Sequence, residues 1–228
     1  EPLLQRLSEL ISPQDTVLDV GAGAGRLALP LALRCREVIA LEPSPSMMAS
    51  LKETAARSGI HNVTAVQSPW ETAEVATADA VLCVNVLYTV PDVEAFIRRL
   101  EAHARQRVLI ILHMEHPQAQ TNPFWRRVHG EERLGPPALR ELMEFLWGNG
   151  IFPNLEMLPP SRPRGFESRD AARAQLRNRL YLAAGSPKER LLDQALDELL
   201  EEVDGVLRIR GAALTRPGLV SWRPGVSS

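Results

Sequence analysis

Cysteine is nearly absent: Cys35 and Cys83 are the only two in 228 residues. Two thiols cannot make the disulfide lattice of a small secreted domain, so a reducing, cytoplasmic setting is expected. Cys83 lies inside the apolar run AVLCVNVLY, where a buried structural thiol is the natural reading. Excess charge is also missing. With 26 basic and 28 acidic residues the chain carries a formal charge of -2, which gives no long-range pull toward nucleic acid or an anionic membrane. No apolar stretch approaches the ~20 residues of a membrane span. The first residues lack the basic and apolar blocks of a signal peptide. Glu1 stands where a Met would start translation, so a fragment or processed chain is expected. What the sequence does have is 45% hydrophobic residues, enough for one sizeable domain over residues 1–228.

Short runs of Val, Ile and Leu alternate with longer helical patterns. TVLDV is followed by a helix over Arg26 to Cys35, EVIALE by Ser44 to Ser58, then VTAVQ, then DAVLCVNV, with Val93 to His103 leading into RVLIILH. That alternation predicts an α/β fold whose mainly parallel sheet is too apolar to have a wet face, with helices on both sides. Right-handed crossovers bring the loops after these strands to one crevice, where ligands of such sheets bind. After about residue 117 the pattern changes. PPALRELMEFLWGNGI predicts a helix and Leu155 to Leu158 a strand. Ser186, Pro187 and Glu189 read as an N-cap, a first helical residue and a capping box, opening a helix whose leucines recur until Gly205. VLRIRGAAL and LVSWRP read as strands that complete the sheet antiparallel. Residues 160–205 are thus expected to be a helical insertion or lid.

Gly21, Gly23 and Gly25 fall between a strand and a helix, where a ligand can approach main chain without meeting a Cβ. The spacing is GxGxG, and Arg26 occupies the third glycine position of the dinucleotide fingerprint. Asp19 stands two residues before the loop. Glu42 ends the second strand, 21 positions after Gly21, where an acid can hold a ribose diol. Anions beside the loop would repel phosphates and suit a cationic ligand.

Together DVGAGAG and VIALEPSPSMM resemble the first two motifs of the class I S-adenosylmethionine-dependent methyltransferases, and the resemblance runs on through ADAVLCVNVLYTVPD to RVLIILH, roughly Asp15 to His113. The resemblance implies a Rossmann-like seven-stranded sheet with an antiparallel last strand. S-adenosylmethionine would be the methyl donor and S-adenosylhomocysteine the product. It also implies roles for single residues. Gly21, Ala22 and Gly23 would approach the methionine and ribose portions, with Asp19 supporting the ammonium. Glu42 would accept from both ribose hydroxyls, and Pro43 would lie against adenine. Asn85 and Val86 would pass under the methyl group. Where the family often has an Asp after the third strand, this chain has QSPWE, and Ser68, Trp70 or Glu71 would substitute.

Methyl transfer from a sulfonium is an in-line displacement, so the enzyme chiefly aligns nucleophile, methyl and sulfur, and a dedicated base is optional. Tyr88 after the fourth strand and His113, His116 and His129 beyond the fifth are the candidates for lining an acceptor pocket or taking a proton. The same histidines with Glu115 and Glu131 offer donors for a divalent ion, but no standard ligand spacing accompanies them, and no metal is expected. From Ser161 to Arg190 lie eight basic residues against three acids; from Leu191 to Asp204 lie six acids and no base. A basic and an acidic helix packed antiparallel would neutralise each other, covering the crevice or forming a homodimer contact. The sequence NVLY replaces the (N/D)PP(Y/F) motif of enzymes that methylate base amines, and Cys83 is within a strand, not after a proline. A small-molecule acceptor is therefore expected, with neither nucleic acid nor membrane as partner. The alternatives are a non-catalytic S-adenosylmethionine-binding protein and an NAD(P)-dependent oxidoreductase, the latter opposed by Arg26.

Overall fold

The computed structural model describes residues 2–225, which form two compact units. The first comprises the segments up to Leu112, Ala138–Pro159 and from Pro217 on; the second comprises His113–Pro137 and Pro160–Arg216.

Strands β1 (Thr16–Val20), β2 (Glu37–Leu41), β3 (Val63–Val66), β4 (Ala78–Val84) and β5 (Ala104–His113) follow the five apolar runs. Helices α1 (Pro2–Leu10), α2 (Ala28–Ala32), α3 (Pro45–Arg57) and α4 (Val93–His103) precede or connect them. β1 pairs in parallel with β2 and β4, β2 with β3, and β4 with β5. Beyond them come α6 (Leu139–Gly148), β6 (Asn154–Met157) and β9 (Pro217–Trp222). The strand order is β3-β2-β1-β4-β5-β9-β6, and β6 and β9 are antiparallel. β1 is buried at all five positions, as a strand covered on both faces must be. Leu18, Val81, Val108 and Ile110 pack on one side with Ile97, Leu100 and Leu146. Val17, Ala80, Leu82 and Leu109 pack on the other with Leu7, Leu31 and Leu51.

The second unit holds α5 (Asn122–His129), α7 (Arg169–Arg179), α8 (Pro187–Leu199) and the hairpin of β7 (Leu200–Val203) and β8 (Val206–Ile209). Its core is Phe124, Val128, Leu176, Leu180, Leu192, Ala195 and Leu196. The charge segregation resolves as a helix pair, with Arg169 bonded to Asp197 and Arg173 to Asp193.

Four local expectations are corrected. The helix after Ser186 stops at Leu199, because Asp204 and Gly205 both adopt positive φ (54° and 73°) and turn the next residues into a hairpin, the preference of an Asp-Gly pair. VLRIRGAAL therefore contributes β8 to that hairpin and not to the main sheet. Ser186 occupies the N-cap without a side-chain bond, and Glu189 reaches instead to the Gly185 N–H at 2.7 Å. The helix expected over Arg26–Cys35 shrinks to the five residues of α2. Pro30 is its third residue, within the first turn, where a missing N–H breaks no helical bond. Among the described residues no helix is long and apolar enough to cross a membrane.

Candidate functional site

The loop leaving β1 is fixed by main chain. The N–H groups of Gly21 and Ala22 both donate to the Leu41 carbonyl at the tip of β2, each at 2.9 Å. Gly21 has φ +80°, and a Cβ there would lie 2.4 Å from Val86 Cγ2. Gly25 has φ +84°, and its Cβ would meet Leu29 and Leu51 at 2.9 and 3.0 Å. Gly25 thus allows the close approach of the side chains of α2 and α3, one position before the third glycine of the dinucleotide fingerprint.

Two buried carboxyls flank this loop. Glu42, 8% exposed, accepts from the Gly23 N–H through Oε2 and from the Ser44 N–H through Oε1, each at 2.9 Å. Both oxygens retain capacity for a further donor. The sequence places Glu42 at the strand tip; that the glycine loop itself orients the carboxylate is visible only in the fold. Asp19, 3% exposed, has its carboxyl pushed up to about 7 by burial, with the positive charge of Arg26 opposing the rise and Glu42 adding to it. Arg26 is the residue that reading for glycine spacing missed, since its position marks it only as a departure from a motif.

Beside the carboxyls opens a cavity of about 200 Å³ whose walls include Gly21, Pro43, Ser68, Trp70 and Val86, five of the expected binding residues. Glu71, Thr89 and Val90 also line it. This is below the ~300–1,000 Å³ of a pocket for a whole small ligand, and matches one portion of a larger one. Trp70 is a fixed wall: 4% exposed, its indole N–H donates to the Phe96 carbonyl at 3.4 Å and the Arg99 guanidinium lies 4.9 Å from its ring centroid. Pro43 is exposed and Ser68 half-buried, its hydroxyl donating to the Pro69 carbonyl. Asn85 takes the left-handed conformation, φ 58°, which Asn tolerates better than most residues. Its N–H donates to the Ile111 carbonyl, and the Tyr88 hydroxyl donates to its Oδ1 at 3.3 Å. Tyr88 is 6% exposed, so its observed part is to hold Asn85.

The three histidines belong to the second unit. His113 ends β5. His116 caps the short 3-10 turn Pro117–Thr121, its Nδ1 accepting from the Gln118 N–H at 3.1 Å. Burial, helped by the charge of Arg133, lowers its pKa. It borders a cavity of about 160 Å³ with Glu115, Thr215 and Arg216. His129 stacks on Trp125 at 4.1 Å, with Nε2 3.1 Å from the Leu180 carbonyl and Nδ1 3.0 Å from Lys188 Nζ. Both of its nitrogens are committed to packing the second unit, which removes the free lone pair that a proton acceptor needs. Among the described residues no group of three His, Cys, Asp or Glu side chains is arranged to hold a metal.

Residues 17–107 match the family model of the methyltransferase domain. An uncharacterized protein of Haemophilus influenzae is 29% identical over 69% of this chain and 58% of its own. The ubiquinone biosynthesis O-methyltransferase of Methylocella silvestris is 39% identical over 36% of this chain and 32% of its own. A 23S rRNA (uracil(1939)-C(5))-methyltransferase of Klebsiella pneumoniae is 43% identical over 24% of this chain and 12% of its own. The match thus spans less than two thirds of each of these relatives. In structure, the YcgJ protein of Bacillus subtilis superposes with a TM-score of 0.64 at 17% identity, covering 96% of this chain and 97% of that one. The magnesium protoporphyrin IX methyltransferase of Synechocystis PCC 6803 with bound SAH gives 0.59 at 17% identity over 96% and 79%. Residues 17–107 are thus similar to a methyltransferase domain, and the chain has the fold shared by class I S-adenosylmethionine-dependent methyltransferases.

Proposed function

We propose that the protein transfers a methyl group from S-adenosylmethionine to a small-molecule acceptor. The observation that carries the reading is the Glu42 carboxylate, buried at the tip of β2 and aimed by two main-chain N–H groups of the loops that flank it. A carboxylate held this way suits a vicinal diol, because each oxygen has room for one more hydrogen bond. Asp19 lies within electrostatic reach of Glu42, and two carboxyls only partly offset by Arg26 favour a ligand bearing positive charge.

When bound, S-adenosylmethionine would supply a methyl carbon on a sulfonium, open to in-line displacement by an acceptor's lone pair with a neutral thioether as the leaving group. The residues of this chain bind and orient. Glu42 takes the ribose hydroxyls, Asp19 in its ionised form balances the ammonium, and Pro43, Trp70 and Val86 give the adenine an apolar slot. Asn85, held in its left-handed turn by Tyr88, sets the main chain that passes the reacting end.

An acceptor carbon of a pyrimidine would call for a thiolate, and the two thiols are unsuited to it. Cys83 is 1% exposed and Cys35 8%, and burial raises both thiol pKa values. That supports a small molecule over an RNA uracil. Calorimetric titration with S-adenosylmethionine and with NAD, followed by transfer of labelled methyl into a whole-cell extract containing both metabolites and RNA, tests the reading. Binding of the first and not the second, with label in a small molecule, is expected. Tight NAD binding, or label only in RNA, would overturn it.

A further inference from the structure

At the other end of the same sheet lies a groove of about 380 Å³, within the range of small-ligand pockets. The register fixes its position: Arg107 at the start of β5 is level with Ala80 on β4, which is level with Val17 on β1. Four strand residues, roughly 13 Å, separate that level from Gly21. This groove is therefore separate from the nucleoside site.

Its lining divides into two kinds. Arg107 and Arg223 supply two guanidiniums, and among the described residues no carboxylate lines the groove. Neither arginine has a carboxylate partner among the described residues, in contrast with Arg105, two positions from Arg107, which is tied to Asp79 at 3.0 Å and to the Thr77 carbonyl at 2.6 Å. Glu101, behind Trp222, already accepts from the Trp222 indole at 2.8 Å. Asn154 and Ser221 face each other across the β6–β9 pairing and add neutral polar groups. The remaining wall is apolar, including Leu10, Ile151 and Phe152, and Phe152 is 63% exposed.

We infer that this groove is a second ligand site, for a small carboxylate with an apolar body. Two guanidiniums lining one groove, with no acid among its described lining residues, concentrate positive potential, and each matches the planar fork of a carboxylate. Inorganic phosphate would satisfy the arginines and leave the apolar wall wet, so the two halves of the lining together select an amphipathic anion. The inference does not depend on the methyltransferase reading.

The test is calorimetry on the intact protein with 3-phenylpropionate, and with 3-phenylpropanamide as its uncharged counterpart. Saturable binding of the acid at millimolar concentration or below is expected, with the amide and the Arg107→Gln/Arg223→Gln double variant each weaker by about tenfold or more. Phe152→Ser, a change at an exposed position, weakens it as well. S-adenosylmethionine titrated into the same variants reports on the other end of the sheet and stays as in the parent. An acid that never saturates, an amide that binds equally well, or arginine variants that bind the acid like the parent would overturn the inference.

Discussion

Carboxylates are held in two ways in this molecule. At the tip of β2, Glu42 is gripped by main-chain N–H groups whose positions are set by a sheet and a glycine loop. In the second unit, Asp193 and Asp197 are held by arginine side chains on the neighbouring helix. The first arrangement gives one geometry; hydrogen bonds to a charged group of this kind are worth ~1.5–3 kcal/mol. The second is adjustable, and exposed ion pairs contribute ~0–1 kcal/mol. Asp197 is 70% exposed in its side chain, whereas Glu42 is buried. Fixed geometry belongs where a ligand must be oriented, and adjustable pairing where two helices need only stay together.

That contrast can be broken in order of expected effect. Gly21→Val faces a positive φ and the Val86 methyl at once. It should abolish S-adenosylmethionine binding by calorimetry, and lower the melting temperature as the β1 tip is forced open. Glu42→Gln puts an amide N–H₂ against one of two main-chain donors. Affinity for S-adenosylmethionine should fall by about a hundredfold, with a loss of ~1–3 kcal/mol in denaturant-measured stability.

Asp19 gives the pH test. Its carboxyl pKa rises from 3.8 unfolded to about 7 folded, so between those values the folded state binds more protons than the unfolded one. Stability without ligand therefore declines from pH ~4 to ~7 and levels off above. Affinity for a cationic ligand runs the other way, rising up to pH about 7 because the ligand favours the carboxylate. Asp19→Asn should flatten both profiles, leaving a protein no less stable at pH 8 that binds S-adenosylmethionine more weakly. At the small end, Arg169→Ala removes the exposed pair with Asp197 and an exposed hydrogen bond to the Asp193 carbonyl. It should move the melting temperature by less than ~2 °C and leave ligand affinity unchanged.

The strand-tip arrangement is legible because it rests on local pattern: an apolar run, an acid, glycines, and a second acid at the end of the next run. The sheet followed from the same runs. What escaped was set by distant partners or by competing local signals. Helical spacing of leucines continues past Leu199, yet Asp204-Gly205 favours a tight hairpin turn, and the turn prevails. His129 reads as a free histidine beside other polar residues until Leu180 and Lys188, more than fifty positions on, take its nitrogens. Trp70 looked like an adenine contact and is one wall of the cavity, but its anchor on Phe96 lies 26 residues away. The role of Gly23 as a donor to Glu42 depends on φ +57° in the loop, which spacing alone does not state.

The central claim is that Glu42 grips a phosphate-free, positively charged nucleoside. Side-by-side calorimetry of S-adenosylmethionine with the parent protein and with Glu42→Ala tests it most directly. Saturable binding to the parent and its loss in the variant, with the variant still melting cooperatively, is the predicted result; equal affinity in both, or none in the parent, would contradict it.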